Sequence, residues 1–226
     1  MLPDMRVSKL ATVDANGNLS AQIYDTLLAA LVAGELAPGE TYSVPTLAKH
    51  FEVSATPVRE AMLNLVSDGL LESVKNKGFR VRTFSDDELD QIVYVRRLLE
   101  VPALIAAAQV ATAADFKRFR KLGEQCITHA EQGNIIGYLE TDRRLHLDIL
   151  RLLHNDRLVA MVDQLRAQTR LFGLNTLADM GQLKHSAQEH LVLLDAMEAR
   201  DDARIKKLLE THIGHARGIW VNRSER

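Results

Sequence analysis

The chain has 226 residues, 5% aromatic side chains, one cysteine and a formal net charge of −2. This charge excludes a protein that is basic overall, and the single Cys126 excludes an internal disulfide. The sequence has neither an 18-residue apolar run nor the apolar centre of a secretory signal, so we expect a soluble, cytoplasmic protein of one small and one medium-sized domain.

The first 84 residues carry the pattern of three helices and a hairpin. Residues 1–19 are polar and weakly patterned, which predicts a flexible N-terminal arm. Helices are predicted from residue 20, in the segment PTLAKHFEV, and after Ser54, whose side chain can cap the first amides of the third helix. Two alternating runs, Leu71–Val74 and Phe79–Phe84, then flank a lysine-rich turn. This order predicts a winged helix-turn-helix over residues 20–84.

From residue 85 onward, every segment has helical periodicity. Ser85 and Glu88 form a capping box at the start of the first helix, and Pro102 is expected to kink that helix. The predicted helices span residues 86–110, 112–132, 134–153, 156–178, 180–199 and 201–222. The fold class is therefore mainly α, with an N-terminal winged helix-turn-helix followed by an all-α bundle of about six helices over residues 85–226.

The third helix opens with a polar, small-residue face that protein packing does not require. In a helix-turn-helix, such a helix end lies in the major groove of DNA, and a wing reaches a neighbouring groove or phosphate. The alternative is a solvated helix end beside an ordinary lysine-rich turn. We expect the DNA contacts to come from Thr56, Arg59, Lys49, Lys75, Lys77 and Gly78.

The segment APGETYSVPTLAKHFEVSATPVREAMLNLVSDGLLESVKNKGFRV resembles the DNA-binding domain of the GntR family of bacterial transcription regulators. The resemblance rests, in order, on a Pro-Gly-Glu turn, a Leu-Ala helix, the core Val-Ser-x-Thr-Pro-Val-Arg-Glu-Ala and a Gly-Leu-Leu entry to the wing. Ala55 and Pro45 stand where the family commonly has arginines. We therefore expect an operator unlike the family's commonest one and a shallow salt dependence, since each lost phosphate contact flattens the log–log slope by about 0.9.

Three of the eight histidines stand on apolar stripes of different predicted helices. His146 follows Asp142 by one turn, so its imidazole and the carboxylate share a face. His190 and His212 each share a stripe with leucines, which places all three histidines toward a bundle interior. One aspartate and three histidines suit a divalent metal, foremost zinc, with nickel, manganese or iron as alternatives. The other interpretation is three core histidines with structural hydrogen bonds.

The helical remainder resembles the FadR branch of the same family, whose C-terminal ligand domain is an FCD-type helical bundle. Many members have an Asp-x-x-x-His pair, a later Glu-His pair and a final histidine. That resemblance implies the metal ligands Asp142, His146, His190 and His212, with Glu189 beside His190. It also implies that the domain forms a homodimer and binds a small organic acid.

Arginines are the candidate partners of such an acid. Arg96 matches a frequent arginine of the family's ligand domain, and Arg166 and Arg170 lie on a helix that could line the same cavity. We favour Arg96 and Arg170 as effector contacts. The alternative for each is a solvated helix charge or an ion pair, such as Arg96 with Glu100.

The sequence therefore predicts a ligand-responsive transcription regulator that binds double-stranded operator DNA as a homodimer. It has no nucleophile–base pair, phosphate-binding glycine loop or His-Glu-x-x-His motif, so we do not expect an enzyme. One alternative is a metal-sensing regulator in which the metal itself is the signal. Another is a DNA-tethered metalloenzyme with Glu189 as its general base.

Overall fold

The computed structural model describes Leu10, residues 18–170 and residues 183–221, without the side chains of residues 170 and 215–221. Contacts divide the described residues into two units, with the boundary between Phe84 and Ser85. Most of the predicted arm and the end of the helix predicted over 156–178 lie outside the described residues.

The first unit contains three helices and a small sheet among its described residues. The helices are α1 (Leu19–Val32), α2 (Val44–Phe51) and α3 (Ala55–Ser67), and the strands are β1 (Thr41–Tyr42), β2 (Leu71–Val74) and β3 (Gly78–Val81). The sheet is antiparallel, in the order β1-β3-β2. Its core is formed by fully buried apolar side chains from all three helices, including Ile23, Leu27, Leu47, Val58 and Leu65.

Three details of this unit differ from the sequence prediction. The connector before α2 contributes β1, which pairs with β3 through Thr41 and Arg80. The second strand of the β2–β3 hairpin, called the wing below, starts at Gly78 and ends at Val81, so it is shorter than predicted. Ser54 is the N-cap of α3, but its side chain makes no capping hydrogen bond.

The second unit is helical throughout its described part. Its six helices are α4 (Asp86–Val110), α5 (Ala113–Glu131), α6 (Ile135–Arg151), α7 (Asp156–Arg170), α8 (Leu183–Glu198) and α9 (Asp202–Val221). The predicted fold class, a winged helix-turn-helix followed by an all-α bundle, is confirmed. The predicted capping box is also present, because the Glu88 amide donates to Ser85 Oγ over 3.2 Å and the Ser85 amide donates to the Glu88 carboxylate over 2.8 Å.

Neighbouring helices of the second unit bury one continuous apolar core. Helix α5 packs on α6 and α8, α4 packs on α7 and α9, and α8 also packs on α9. The fully buried side chains at the centre include Leu104, Phe119, Leu145, Leu150 and Leu194. Because each helix is apolar on its inner face, a polar residue on that face is enclosed by protein and requires a polar partner. Among the described residues, no helix is long and apolar enough to cross a membrane.

Candidate metal centre and DNA-binding surface

Four polar side chains converge inside the helical unit. Helix α6 carries Asp142 and His146 one turn apart, while α8 carries His190 and α9 carries His212. Asp142 and His146 share the inner face of α6 with Leu139, Leu145 and Ile149 (all buried), so packing of these apolar residues directs both polar groups inward. We call the four residues the Asp–His cluster.

The donor atoms of the Asp–His cluster lie close enough to share one ion. The four candidate ligand atoms are all within 4.8 Å of one another. Asp142 Oδ1 lies 3.1 Å from His190 Nε2 and 3.6 Å from His146 Nε2, and these two ring nitrogens are 3.2 Å apart. Ligands on a common ion with bonds of about 2.1 Å lie up to about 4.2 Å apart, so a small contraction would close the widest separation. The geometry and the N/O donor set therefore fit a divalent transition metal.

Glu189 holds one of the histidines from outside the Asp–His cluster. Its carboxylate is 2.7 Å from His212 Nδ1, and it is also 3.8 Å from Nε2 of the exposed His185. The Nδ1–H of His212 donates to that carboxylate, which leaves Nε2 as a free lone-pair donor. A carboxylate behind a histidine is the usual arrangement around metal-binding imidazoles, because it fixes the tautomer and the ring direction.

The other two histidines are buried more completely. His146 and His190 are each 1% exposed, and within the described part of the chain neither Nδ1 atom has a hydrogen-bond partner. Leaving buried polar atoms unpaired costs free energy. Since the Nε2 atoms of both rings face the cluster, a bound metal would leave these Nδ1 atoms unpaired as well, and they do not distinguish a ligand role from a structural one.

The environment disfavours protonation of two imidazoles of the Asp–His cluster, those of His146 and His212. Burial, assisted by the positive charge of Arg166, holds the pKa of His146 well below its usual value, although Asp142 acts in the opposite direction. Burial also lowers the pKa of His212, although the hydrogen bond that His212 donates to Glu189 acts in the opposite direction. Neutral imidazole is the form that binds a metal ion.

A chain of buried ion pairs leads away from Asp142. Arg166 donates over 2.9 Å to Asp142 Oδ2 and over 2.9 Å to Glu100. Arg96 donates over 2.6 Å to the other oxygen of Glu100 and over 3.0 Å to Thr169 Oγ1. We call Arg96, Glu100, Arg166 and Asp142 the buried ionic network; none of their side chains is more than 8% exposed.

The buried ionic network bears on the three arginines that the sequence suggests as effector contacts. Arg96 makes the ion pair with Glu100 that was the alternative to an effector contact, and Arg166 contacts a predicted metal ligand. The side chain of Arg170 lies outside the described residues. Burial opposes ionisation of Glu100, but the two arginines outweigh it and lower its pKa, which favours the ionised carboxylate.

The predicted DNA-contacting side chains lie on the surface of the first unit. Thr56 and Arg59 are exposed at the start of α3, Lys49 is exposed on α2, and Lys75 and Lys77 are exposed in the turn of the wing. Within the described residues, none of these four cations forms an ion pair, whereas Arg80 on β3 pairs with Glu72 over 2.5 Å. Unpaired exposed cations are suited to phosphate contacts.

Gly78 has a structural reason to be glycine. It begins β3 with a φ of +122°, and a Cβ atom there would lie 2.3 Å from the Tyr42 carbonyl oxygen of β1. The close approach of β1 therefore accounts for this glycine without any contact to DNA. The turn itself contains Asn76, whose φ is +60°.

Sequence comparisons match both units. A model of the bacterial regulatory proteins of the gntR family matches residues 19–81, and a model of the FCD domain matches residues 91–215. The HTH-type transcriptional regulator McbR of Escherichia coli (strain K12) is 29% identical over 186 residues, 81% of this chain and 84% of that protein. The probable D-xylose utilization operon transcriptional repressor of Paenarthrobacter nicotinovorans is 27% identical over 198 residues, 86% of this chain and 85% of that protein.

A structural comparison gives the same result. The solved structure of E. coli McbR/YncC matches with a TM-score of 0.74 and 27% identity, covering 91% of this chain and 98% of that one.

Proposed function

Because this chain belongs to the GntR family of bacterial regulatory proteins and carries an FCD domain, we propose that a small organic acid controls it through a metal ion in the helical unit. The chain is a DNA-binding transcription regulator and not an enzyme, like the regulators to which it is similar. The proposal includes membership of the FadR branch, a cytoplasmic location and action as a homodimer. Two chains related by symmetry would bind a pseudo-palindromic operator.

The Asp–His cluster is the observation that carries the metal in this proposal. Its four donors, Asp142, His146, His190 and His212, come from three helices and converge within 4.8 Å. Zinc fits best because it binds imidazole and carboxylate together, while nickel, manganese and iron accept the same donors. A bound metal would supply a Lewis-acid position for an oxygen ligand, since four protein donors leave one or two positions open on a five- or six-coordinate ion.

The effector is proposed to be a carboxylate because a metal beside buried arginines attracts an anion. Arg96 and Arg170 remain the proposed effector contacts, although Arg96 also pairs with Glu100 in the structure. The effector can change DNA binding only if it binds two arrangements of the regulator with different affinity. A coupling of about 1–3 kcal/mol between the two ligands is typical.

On the DNA side, Thr56 and Arg59 are proposed to contact the major groove, with Lys49, Lys75 and Lys77 on phosphates. Their exposure and the absence of ion pairs for the cations among the described residues support this assignment. Gly78 is proposed to act indirectly, by letting the wing lie against β1. Since Ala55 and Pro45 replace arginines that are common in the family, few phosphate contacts are expected.

The test uses the full chain and DNA selected from a random-sequence pool. DNA affinity is measured for chelator-treated protein, zinc-loaded protein and zinc-loaded protein with each of a panel of small carboxylates. We expect one carboxylate to change the affinity by fivefold or more only when zinc is present. The matched control is a His190→Ala, His212→Ala double variant, which should not respond.

Two outcomes would decide against the proposal. A response to zinc that needs no carboxylate would favour the metal-sensing regulator. A response to a carboxylate that survives chelation and the double substitution would remove the metal from the mechanism.

A further inference from the structure

Helix α9 brings His212 to the Asp–His cluster while it packs on α4 and α8. The apolar row of α9 consists of Ile205, Leu209 and Ile213, which are all fully buried. Apolar contacts have no preferred direction, so a small shift of one helix along another weakens them only gradually, whereas a hydrogen bond depends on both distance and angle. Polar contacts between α9 and its neighbours therefore bear most directly on where His212 lies.

Hydrogen bonds connect α9 to α4 at two places among the described residues. Gln109 donates over 3.2 Å to the Asp202 carboxylate at the start of α9. Arg97 Nη2 donates over 3.1 Å to the backbone carbonyl oxygen of Glu210, which stands shortly before His212 in the chain. Because the acceptor is a backbone atom, the hydrogen bond from Arg97 acts on the position of the helix itself and not on a side chain.

Gly214 leaves the space in which the Arg97 guanidinium lies. It follows Glu210 by about one helical turn, so the two residues share a face of α9. A Cβ atom at position 214 would lie 2.9 Å from Arg97 Nη2, too close for two atoms that are not bonded. Glycine is unfavourable in the interior of a helix, where alanine is the best helix former. The contact with Arg97 is therefore a structural reason for a glycine at this position.

His212 lies at the edge of the Asp–His cluster. Its side chain is 10% exposed, whereas those of His146 and His190 are each 1% exposed. The centroid of its ring is 5.3 Å from that of His146 and 4.9 Å from that of His190. Metal–ligand distances vary by only about 0.2 Å. A shift of α9 that is too small to disturb the apolar core would therefore still separate His212 Nε2 from a shared ion.

We propose that Arg97 is a positioning residue for His212. Its hydrogen bond to the Glu210 carbonyl, made in the space that Gly214 leaves, fixes α9 on α4 at the turn that presents the imidazole to the Asp–His cluster. Arg97 acts through the backbone of α9 and is not itself a metal ligand. This inference rests on the metal site of the proposed function, and it adds a residue from outside that site.

The test compares zinc affinity with the stability of the metal-free protein, both in the full chain. Competition with a chromophoric chelator gives zinc affinity, and urea unfolding of the chelator-treated protein, followed by circular dichroism, gives stability. Arg97→Ala should weaken zinc binding by about fivefold, the effect of losing one hydrogen bond. Arg204→Ala, which removes an exposed arginine of the same helix, is the control and should leave zinc affinity unchanged.

Gly214→Ala removes the same contact from the other side. The added methyl group displaces the guanidinium, so zinc affinity should again fall about fivefold. The metal-free variant should unfold at the same urea concentration as the wild type or a higher one, because alanine favours the helix. A residue that only stabilised the fold would not separate the two measurements in this way. In the double variant Arg97→Ala, Gly214→Ala, the loss should remain about fivefold, because both changes remove one contact.

The outcomes separate this inference from the proposed function. Zinc affinity in Arg97→Ala equal to that of the wild type would overturn the inference and keep the metal site. Losses that multiply in the double variant would also overturn it, since the two residues would then act independently. If Arg97→Ala does not fold, as judged by circular dichroism, the zinc affinity of Gly214→Ala decides. Failure of the wild type to bind zinc would overturn both the inference and the metal site.

Discussion

Glu100 is a carboxylate that water does not reach, and two arginines keep it ionised. Its pKa lies below the usual value of 4.5 because attraction by Arg96 and Arg166 outweighs the opposing effect of burial. A group whose pKa is lowered by folding stabilises the folded state above its unfolded pKa, and this contribution is lost as the pH falls toward the folded pKa. Ionised Glu100 therefore stabilises the helical unit near neutral pH, and this stabilisation decreases as the pH falls.

Substitution Glu100→Gln should lower the free energy of unfolding by about 3 kcal/mol at pH 7, because it leaves two buried arginines with one carboxylate. The variant should also lose less stability than the wild type as the pH falls below the unfolded pKa of a glutamate, since it lacks the titrating group. Urea unfolding followed by circular dichroism measures both effects. Glu140→Gln, an exposed change on α6, is the control and should shift neither.

Glu189 acts on metal binding through His212 rather than by direct contact. Glu189→Gln should weaken zinc binding by about tenfold or more, because the neutral amide holds the imidazole less firmly and lowers its basicity. The measurement is competition for zinc with a chromophoric chelator. Glu131→Gln, which changes an exposed acid paired with Lys184, should leave zinc affinity unchanged. Equal affinities for wild type and Glu189→Gln would remove Glu189 from the site.

Substitutions at Gly78 and Gly39 compare two costs of an added Cβ atom. Both glycines have a positive φ, but only at Gly78 would the Cβ collide with a neighbouring strand. Gly39 has a φ of +80°, and an added Cβ would meet only the Thr83 side chain at 3.8 Å, whereas at Gly78 it would meet the Tyr42 carbonyl at 2.3 Å. Gly39→Ala should lower the free energy of unfolding by about 1 kcal/mol, because alanine is strained in the left-handed backbone conformation. Gly78→Ala should lower the free energy of unfolding by about 3 kcal/mol, because the clash with β1 is added to the backbone strain. It should also weaken DNA binding, because the wing would be displaced from β1.

Both glycine variants are compared by thermal unfolding. The transition whose temperature rises when DNA is added is assigned to the winged-helix unit, and its shift is measured in each variant. Equal shifts in the two variants would show that the contact with β1 is unimportant.

Residue-level features differed in how far the sequence could predict them. Helical periodicity places each member of the Asp–His cluster on an apolar face, whereas the assignment of all four to one metal site came from the family resemblance. The role of Arg166 could not be read from spacing, since it depends on contacts with Asp142 and Glu100 from other helices. Gly78 was predicted to contact DNA from the wing, because nothing in the local sequence indicates that β1 lies against this glycine.

Among the secondary-structure elements, the long helices were the most predictable. Their apolar stripes and caps, such as the Ser85–Glu88 box, are local signals. Strand β1 was missed because it has only two residues and is defined by pairing with β3, which lies far along the chain. Elements fixed by non-local pairing leave little local pattern to read.

The wing is expected to contribute charge to DNA binding more than sequence selectivity. Lys75→Ala and Lys77→Ala should each flatten the log–log dependence of DNA affinity on salt by about 0.9, if each lysine contacts a phosphate. Affinities measured by fluorescence anisotropy over a series of salt concentrations give the slope. Lys206→Ala and Lys207→Ala, exposed on α9, are the controls. An unchanged slope in the wing variants would exclude these two phosphate contacts.

Over the whole molecule, the net charge of −2 hides the local distribution of charge. The first unit exposes Lys49, Arg59, Lys75 and Lys77 on its surface. In the second unit, the buried ionic network adjoins the Asp–His cluster through Asp142. The family assignment fixes the DNA function of the chain. The proposed response to an organic acid depends on whether a metal occupies the Asp–His cluster.

The most direct test is the metal content of the purified full chain, measured by elemental mass spectrometry beside the His190→Ala, His212→Ala variant. The proposed function predicts about one transition-metal ion per chain in the wild type and almost none in the variant, with both proteins folded by circular dichroism. Absence of metal from the wild type, even after incubation with zinc, nickel and manganese, would contradict the metal-centred account. Asp142 and the three histidines would then be core residues or direct effector contacts.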